Sequence, residues 1–269
     1  MDNNKLGILA GTGKLPVECA RAAKQLGYEV YAVGLLADSD PAIAQFSKDY
    51  QFISVAQLDA VLNYLTTNQV PKVTMIGKVT KELLFNGAVQ PDAHMLQLIM
   101  SLPDRRHDTI MMAFVRELAR AGIQTFDQTK LIRNLMPRRG TITRREPTEA
   151  ERQDMEFGFR IAKELGRLDI GQTVVVKSRA VMALEAIEGT DACIERGGKL
   201  ACGGAVVAKV SKPQQDNRFD VPTVGYRTIE NMSKAGATAL AIEAGKTLLV
   251  ERERMIQFAD DKGISIVAM

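Results

Sequence analysis

The stretch Lys209-Val-Ser-Lys-Pro-Gln-Gln-Asp-Asn-Arg-Phe-Asp-Val-Pro-Thr-Val-Gly225 gathers Lys209, Lys212, Asp216, Arg218 and Asp220 just beyond an apolar strand pattern. Pro213 and Pro222 stiffen it, because the residue before a proline is pushed out of the helical region. A loop that is both rigid and densely charged costs solvation and entropy without adding to a core, so it more often holds a ligand than a fold. Its cations suit phosphate, and its carboxylates suit a metal ion or a proton in transit. The bland alternative is a solvated loop with incidental charge.

Two further stretches have chemical character. Glu188-Gly-Thr-Asp191 falls at a strand end with a helix behind it. Gly189 allows a tight turn, and Thr190 or Asp191 can cap, so a capped helix start explains the same residues. Asp169-Ile-Gly-Gln172, ahead of a strand, is equally ambiguous. Near the start, Leu6–Ala10 is a short apolar run followed by Gly11-Thr-Gly-Lys-Leu-Pro16. Neither named glycine fingerprint is satisfied. Pro16 stands where GxGxxG needs glycine, and Ile8 and Leu15 stand where a Walker A loop needs glycine and Ser/Thr. Val33-Gly-Leu-Leu36 lacks the acid that an NAD site carries near the second strand. Glycines at a helix N-terminus still let backbone N–H groups approach a phosphate or sugar, and a plain strand-to-helix turn remains the alternative.

The elements that must position these residues follow from periodicity. Strand patterns at 6–10, 28–33 and 73–77, with helical patterns at 17–26 and 57–65, predict an N-terminal Rossmann-like parallel sheet over residues 1–132. Ligands of such sheets sit at the carboxyl ends of the strands, which puts Gly11, Thr12, Gly13, Gly77 and Lys78 at one mouth. Residues 92–121 read as a buried helix pair; their methionines also suit an irregular apolar ligand such as an acyl chain. Arg133 to Pro147 loses apolar periodicity and carries Arg133, Arg138, Arg139, Arg144 and Arg145; it reads as a basic, solvated linker, with an anionic substrate or lipid headgroups as the alternative partner of the arginines. Thr148-Glu-Ala-Glu151 is a capping box opening a helix that Gly166 is expected to end. Strands at 173–177, 181–186, 205–210, 238–242, 247–250 and 264–267, with helices at 226–235 and 253–262, make 148–269 a mixed α/β domain.

Composition bounds the function. A 269-residue chain with a net charge of +3 is too weakly basic for general nucleic-acid binding. No stretch approaches the ~20 apolar residues of a membrane span, and Met1-Asp-Asn-Asn-Lys5 lacks a basic-then-apolar signal pattern. Cys19, Cys193 and Cys202 form no CxxC pair and fit reduced cytoplasmic thiols. His94 and His107 are the only histidines, without HExxH, so any metal is expected to be magnesium or manganese on oxygen ligands.

Taken in order, Leu6 to Pro16, Gly77-Lys78, Arg144 to Thr148, Leu168 to Gln172, Glu185 to Asp191, Lys212 to Gly225 and Glu243-Ala-Gly245 resemble the LpxI family of UDP-2,3-diacylglucosamine pyrophosphatases. The resemblance spans almost the whole chain. It implies hydrolysis of the diphosphate of UDP-2,3-diacylglucosamine to 2,3-diacylglucosamine 1-phosphate and UMP, a step of lipid A synthesis. It also implies a divalent cation, usually Mg2+ with Mn2+ as a substitute, and two domains with the substrate in the cleft between them. The family's key carboxylate falls on Asp220 within Arg218-Phe-Asp-Val-Pro222. On this reading Asp220 and Asp191 are catalytic and metal-binding, and Lys209 and Lys212 bind the phosphates. Gly11, Thr12, Gly13, Gly77, Lys78, Gln172, Glu188, Gly189, Thr190, Arg218 and Thr223 contact substrate. The expected partner is a lipid-linked UDP-sugar collected by transient contact with the inner membrane from the cytoplasm; a homodimer is compatible. A non-catalytic nucleotide-binding module and another sugar-nucleotide enzyme stay open as alternatives.

Overall fold

A computed structural model describes residues 4–79, 89–104 and 106–269, with the backbone alone at His107. The first three residues, on which the absence of a signal pattern was read, lie outside them. The chain divides into two compact units, 1–132 with 217–219, and 133–216 with 220–269.

The first unit is built on β1 (Lys5–Ala10), β2 (Glu29–Gly34), β3 (Asp49–Phe52), β4 (Lys72–Ile76) and β5 (Gln124–Thr125), in the order β3-β2-β1-β4-β5. Every pairing is parallel. This is the expected Rossmann-like sheet, with β5 at one edge and β3 at the other as added strands. The Asp49-Tyr-Gln-Phe52 of β3 has no apolar run to announce it. Alternation divides the sheet residues between two faces. Leu9, Tyr31, Val33, Val73 and Met75 cluster with Val61 and Leu65 of α2 (Leu58–Thr67) and with Val115 and Leu118 of α4 (His107–Arg120). α1 (Leu15–Gln25) packs on β1, β2 and β4 through the small buried residues Ala20 and Ala23. α3 (Ala93–Met100) seats Met95 and Leu98 against Leu58 and Ala113, so the methionine-rich stretch is largely a packed helix pair. α5 (Thr129–Ile132) ends the unit.

The second unit holds a six-stranded mixed sheet, ordered β6-β13-β11-β9-β7-β8. Its strands are β6 (Gly140–Thr141), β7 (Thr173–Lys177), β8 (Ala180–Leu184), β9 (Ala205–Lys209), β11 (Ala237–Ile242) and β13 (Ser265–Ala268). β9, β11 and β13 run parallel; β6 and β7 run antiparallel to them. β10 (Thr223–Val224) and β12 (Leu248–Leu249) pair separately. On one face α6 (Glu149–Arg167) lays Met155, Ala162 and Leu165 over Val174, Val176, Val206, Ala208 and Ala241. On the other, α7 (Thr190–Ala201), α8 (Tyr226–Lys234) and α9 (Arg252–Asp261) bury Ile194, Ile229, Met232 and Met255 against Val175, Val207, Leu240 and Ile266. Burial on both faces explains the nearly continuous apolar runs of these strands.

Two local expectations change. The capping box at Thr148 and Glu151 forms, but α6 runs through Gly166 to Arg167 and is capped by Leu168. Gly166 lies inside the helix and packs on Lys212, whose Cα an added Cβ would approach to 3.3 Å. The basic stretch is not a solvated linker either. β6 pairs with β13, and Arg145 clamps Glu151 with two bonds of 2.8 and 2.9 Å while donating to Gly263 O and Thr238 O. Burial of Glu151 opposes its charge, but the Arg145 fork and the Thr148 amide hold its pKa down at about 2.

Candidate functional site

Lys209 ends β9 at the carboxyl edge of the parallel strands, where ligands of such sheets bind. It is 8% exposed, and its Nζ donates to Thr223 O at 3.0 Å. Burial pushes its pKa down, while Glu185, Asp191 and Asp220 pull it back toward the charged form. A buried lysine whose charge nearby carboxylates favour can hold a positive charge against a phosphate or release a proton.

Each carboxylate comes from a different element. Asp220 follows the charged loop, its amide donating to Asp216 O at 2.9 Å, and it is partly exposed. Asp191 lies in the first turn of α7 and meets Arg227 at 3.3 Å; Arg227 is largely solvated and Asp191 about half-buried. Glu185, just beyond β8, is buried at 7% exposure. It accepts from Thr190 Oγ1 at 3.0 Å and from the Gln172 amide at 3.2 Å. Thr190 in turn lies 3.4 Å from Thr173 Oγ1. Glu185 opens the Glu185 to Asp191 stretch of the family resemblance, but the sequence assigned it no role in the site. A lone glutamate at a strand end looks solvated until the fold wraps Thr190 and Gln172 around it.

A second charged knot sits one strand over. Glu243, beyond β11, pairs with Lys163 at 2.5 Å and Lys246 at 2.9 Å and accepts from the Ser211 amide. Burial raises its pKa, but these donors win and hold it below the usual carboxylate range. Lys163 also donates to Ser211 O at 3.0 Å, so the pair anchors the start of the charged loop. The sequence signal for it was Glu243-Ala-Gly245.

The remaining expected residues are dispersed. Lys212 Nζ binds Asp169 at 2.7 Å. Glu188 caps its own turn through the Ala186 amide and pairs with Arg196; its own backbone N–H and Arg196 lower its pKa. Gly189, at φ +81°, opens α7. Thr223 gives its carbonyl to Lys209 and its hydroxyl to Val221 O. Gln172 keeps a buried Oε1 without a hydrogen-bond partner, and Gln215 a buried Nε2, among the described residues. Such groups are costly unless water or a ligand meets them.

In the first unit the two glycine turns close on each other. Gly11 N donates to Ile76 O, and Thr12 and Lys78 exchange backbone bonds of 3.0 and 3.1 Å. A Cβ on Gly11 would lie 2.7 Å from Lys78 O, which requires glycine there. Gly77, at φ +97°, needs it for its backbone conformation as well. The Gly11 and Thr12 amides are thus spent within the sheet, leaving Gly13 and Lys78 exposed at the mouth. Beside it lies an apolar cavity of about 100 Å³ bordered by Leu9, Met75, Gly77, Met111, Phe114 and Phe219. Arg218 Nη2 reaches Met112 Sδ at 3.4 Å.

Among the described residues no group of three or more His, Cys, Asp or Glu side chains is arranged to hold a metal ion. No described helix is long and apolar enough to cross a membrane.

Comparison with known proteins adds the following. Residues 5–135 match the LpxI N-terminal domain and residues 138–267 the LpxI C-terminal domain. The chain is 30% identical over 276 residues to the UDP-2,3-diacylglucosamine pyrophosphatase LpxI of Caulobacter vibrioides, covering 98% of this chain and 97% of that protein. Among solved structures, an ADP complex of N5-carboxyaminoimidazole ribonucleotide synthetase aligns with 65% of this chain and 32% of its own length, at 16% identity and a TM-score of 0.28. The Thermotoga maritima enzyme of the same name aligns at 12% identity, with 68% and 41% coverage and a TM-score of 0.24. The chain spans less than half of those structures, and likenesses this weak carry no argument.

Proposed function

The chain belongs to the LpxI family, and on that premise we propose that it hydrolyses the diphosphate of UDP-2,3-diacylglucosamine to 2,3-diacylglucosamine 1-phosphate and UMP. The observation that carries the reading is Lys209, buried at the carboxyl end of β9 with its ammonium on Thr223 O, on the strand that leads into the loop bearing Asp220. A diphosphate is anionic and resists attack by water, so its hydrolysis needs fixed positive charge and a group that orients or deprotonates the water. Lys209 supplies the first. Asp220, partly exposed on its loop, supplies the second. Glu185 is a positioning residue: two donors fix it, and its charge favours the Lys209 ammonium against burial.

The donor set fits a hard divalent cation. Asp191 and Asp220 offer carboxylate oxygens, and magnesium is commonly held by one or two carboxylates, with waters and substrate phosphates completing its shell. When bound, such a cation neutralises phosphoryl oxygens and lowers the pKa of a bound water. The apolar cavity beside Gly77 suits a hydrocarbon portion of the substrate. A lipid-linked substrate also implies transient contact with a membrane surface.

The test is Asp220→Ala. It is expected to retain substrate affinity within about threefold and lose at least about a hundredfold in kcat. Near-normal kcat would sink the assignment. Retained binding with no turnover in the wild type as well would favour a nucleotide-binding module.

A further inference from the structure

We propose that a cavity at the β6–β13 edge of the second unit is a binding site for an organic phosphate, separate from the Lys209 centre and independent of the hydrolase reading. The cavity measures about 1190 Å³, and Arg133, Arg138, Arg139 and Arg252 line it with no carboxylate among its lining residues. Among the described residues, none of these four guanidinium groups has a hydrogen-bond or ion-pair partner. Their neighbours behave differently: Arg144 pairs with Asp260, Arg145 with Glu151, Arg152 with Glu146 and Arg254 with Glu251. Four like charges converging on one cavity repel each other and add nothing to the fold, whereas a bound anion would satisfy all of them.

The walls are built rather than loose. Gly245 N donates to Pro137 O at 2.9 Å and Ala244 N to Met269 O at 3.0 Å, tying the loop after β11 to the arginine segment and the end of β13. Gly140 pairs with Ala268 in β13, which ends at the same sheet edge as β9 but two strands away in the order β6-β13-β11-β9. Guanidinium forks match phosphate oxygens with paired bonds. The volume exceeds what an inorganic ion needs, and no aromatic ring lines the cavity to stack a base. Recognition therefore falls on the phosphate group, whether it belongs to a soluble ester or to a phospholipid headgroup.

The experiment compares full-length wild type with Arg138→Ala/Arg139→Ala and with Arg160→Ala, an exposed arginine on α6 outside the cavity. UMP binding is measured by calorimetry. Sedimentation with phosphatidylglycerol vesicles is measured against phosphatidylcholine vesicles. The double variant is expected to lose at least about tenfold in affinity for one probe, while Arg160→Ala keeps it. Loss confined to UMP assigns a soluble ester; loss confined to phosphatidylglycerol assigns a headgroup. Arg138→Lys/Arg139→Lys keeps the charge but not the fork and should recover only part of the affinity. Wild type and double variant indistinguishable with both probes, or no binding of either, would overturn the proposal.

Discussion

A lysine at 8% exposure, its ammonium on a backbone carbonyl, stays charged only while carboxylates answer it. Glu185, Asp191 and Asp220 do so, yet burial still leaves its pKa below the free value of 10.5. Because the unfolded chain binds this proton more tightly, the lysine's contribution to stability improves as pH rises through its folded pKa toward 10.5. Urea unfolding from neutral to alkaline pH should show that rise in the wild type and not in Lys209→Met; parallel profiles would contradict it. Turnover of Lys209→Met is expected to fall at least about a hundredfold, from loss of fixed charge at the developing phosphoryl anion. Asp220, Asp191 and Lys209 were legible because charged residues crowd a proline-bounded loop or a glycine turn. Glu185 was not, since its burial depends on Thr190 and Gln172 arriving from other elements.

Between elements, close backbone approach and helix clamps decide what can be changed. Gly11→Ala would push a Cβ to 2.7 Å from Lys78 O and 2.8 Å from Gly77 C, prising apart the turns after β1 and β4. It should cost about 1–3 kcal/mol in chemical denaturation, and a neutral result would mean that the turns part freely. His94 of α3 meets Asp59 of α2 at 2.7 Å and Glu117 of α4 at 3.3 Å. The Asp59 bond, reinforced by Glu117 against partial burial, raises the imidazole pKa above 6.5. The resulting stabilisation is complete below 6.5 and fades as pH climbs through the folded value. His94→Gln should therefore destabilise at mildly acidic pH, by roughly 0.5 kcal/mol for so exposed a cluster, and be near neutral at alkaline pH. A larger loss at alkaline pH would refute the clamp. Sequence periodicity revealed the long apolar strands and helices of both units. It missed β3, β5 and β6 because two- to four-residue polar edge strands are made by their neighbours, and it stopped α6 early because a helical glycine packed on another backbone looks like a cap.

At the scale of the whole molecule, the chain combines a five-stranded parallel sheet with a six-stranded mixed one. In both, the residues able to do chemistry gather beyond the carboxyl ends of parallel strands: Gly11 and Gly77 after β1 and β4, Lys209 and Glu243 after β9 and β11. From the sequence that rule placed only the Gly11 and Gly77 turns at one mouth, and Thr12 and Lys78 do pair there. Which loops meet was not readable, because strand order in the second sheet departs from chain order. Nor was the packing of Arg133–Pro147 into the second unit, since a strand as short as Gly140–Thr141 takes its shape from β13. The central claim is hydrolysis of a diphosphate, and phosphorus NMR in isotopically labelled water, with UDP-2,3-diacylglucosamine and magnesium, tests it most directly. The prediction is conversion to UMP and 2,3-diacylglucosamine 1-phosphate, abolished by EDTA, with the label in one of the two phosphates. An intact diphosphate while the ligand remains bound would contradict it.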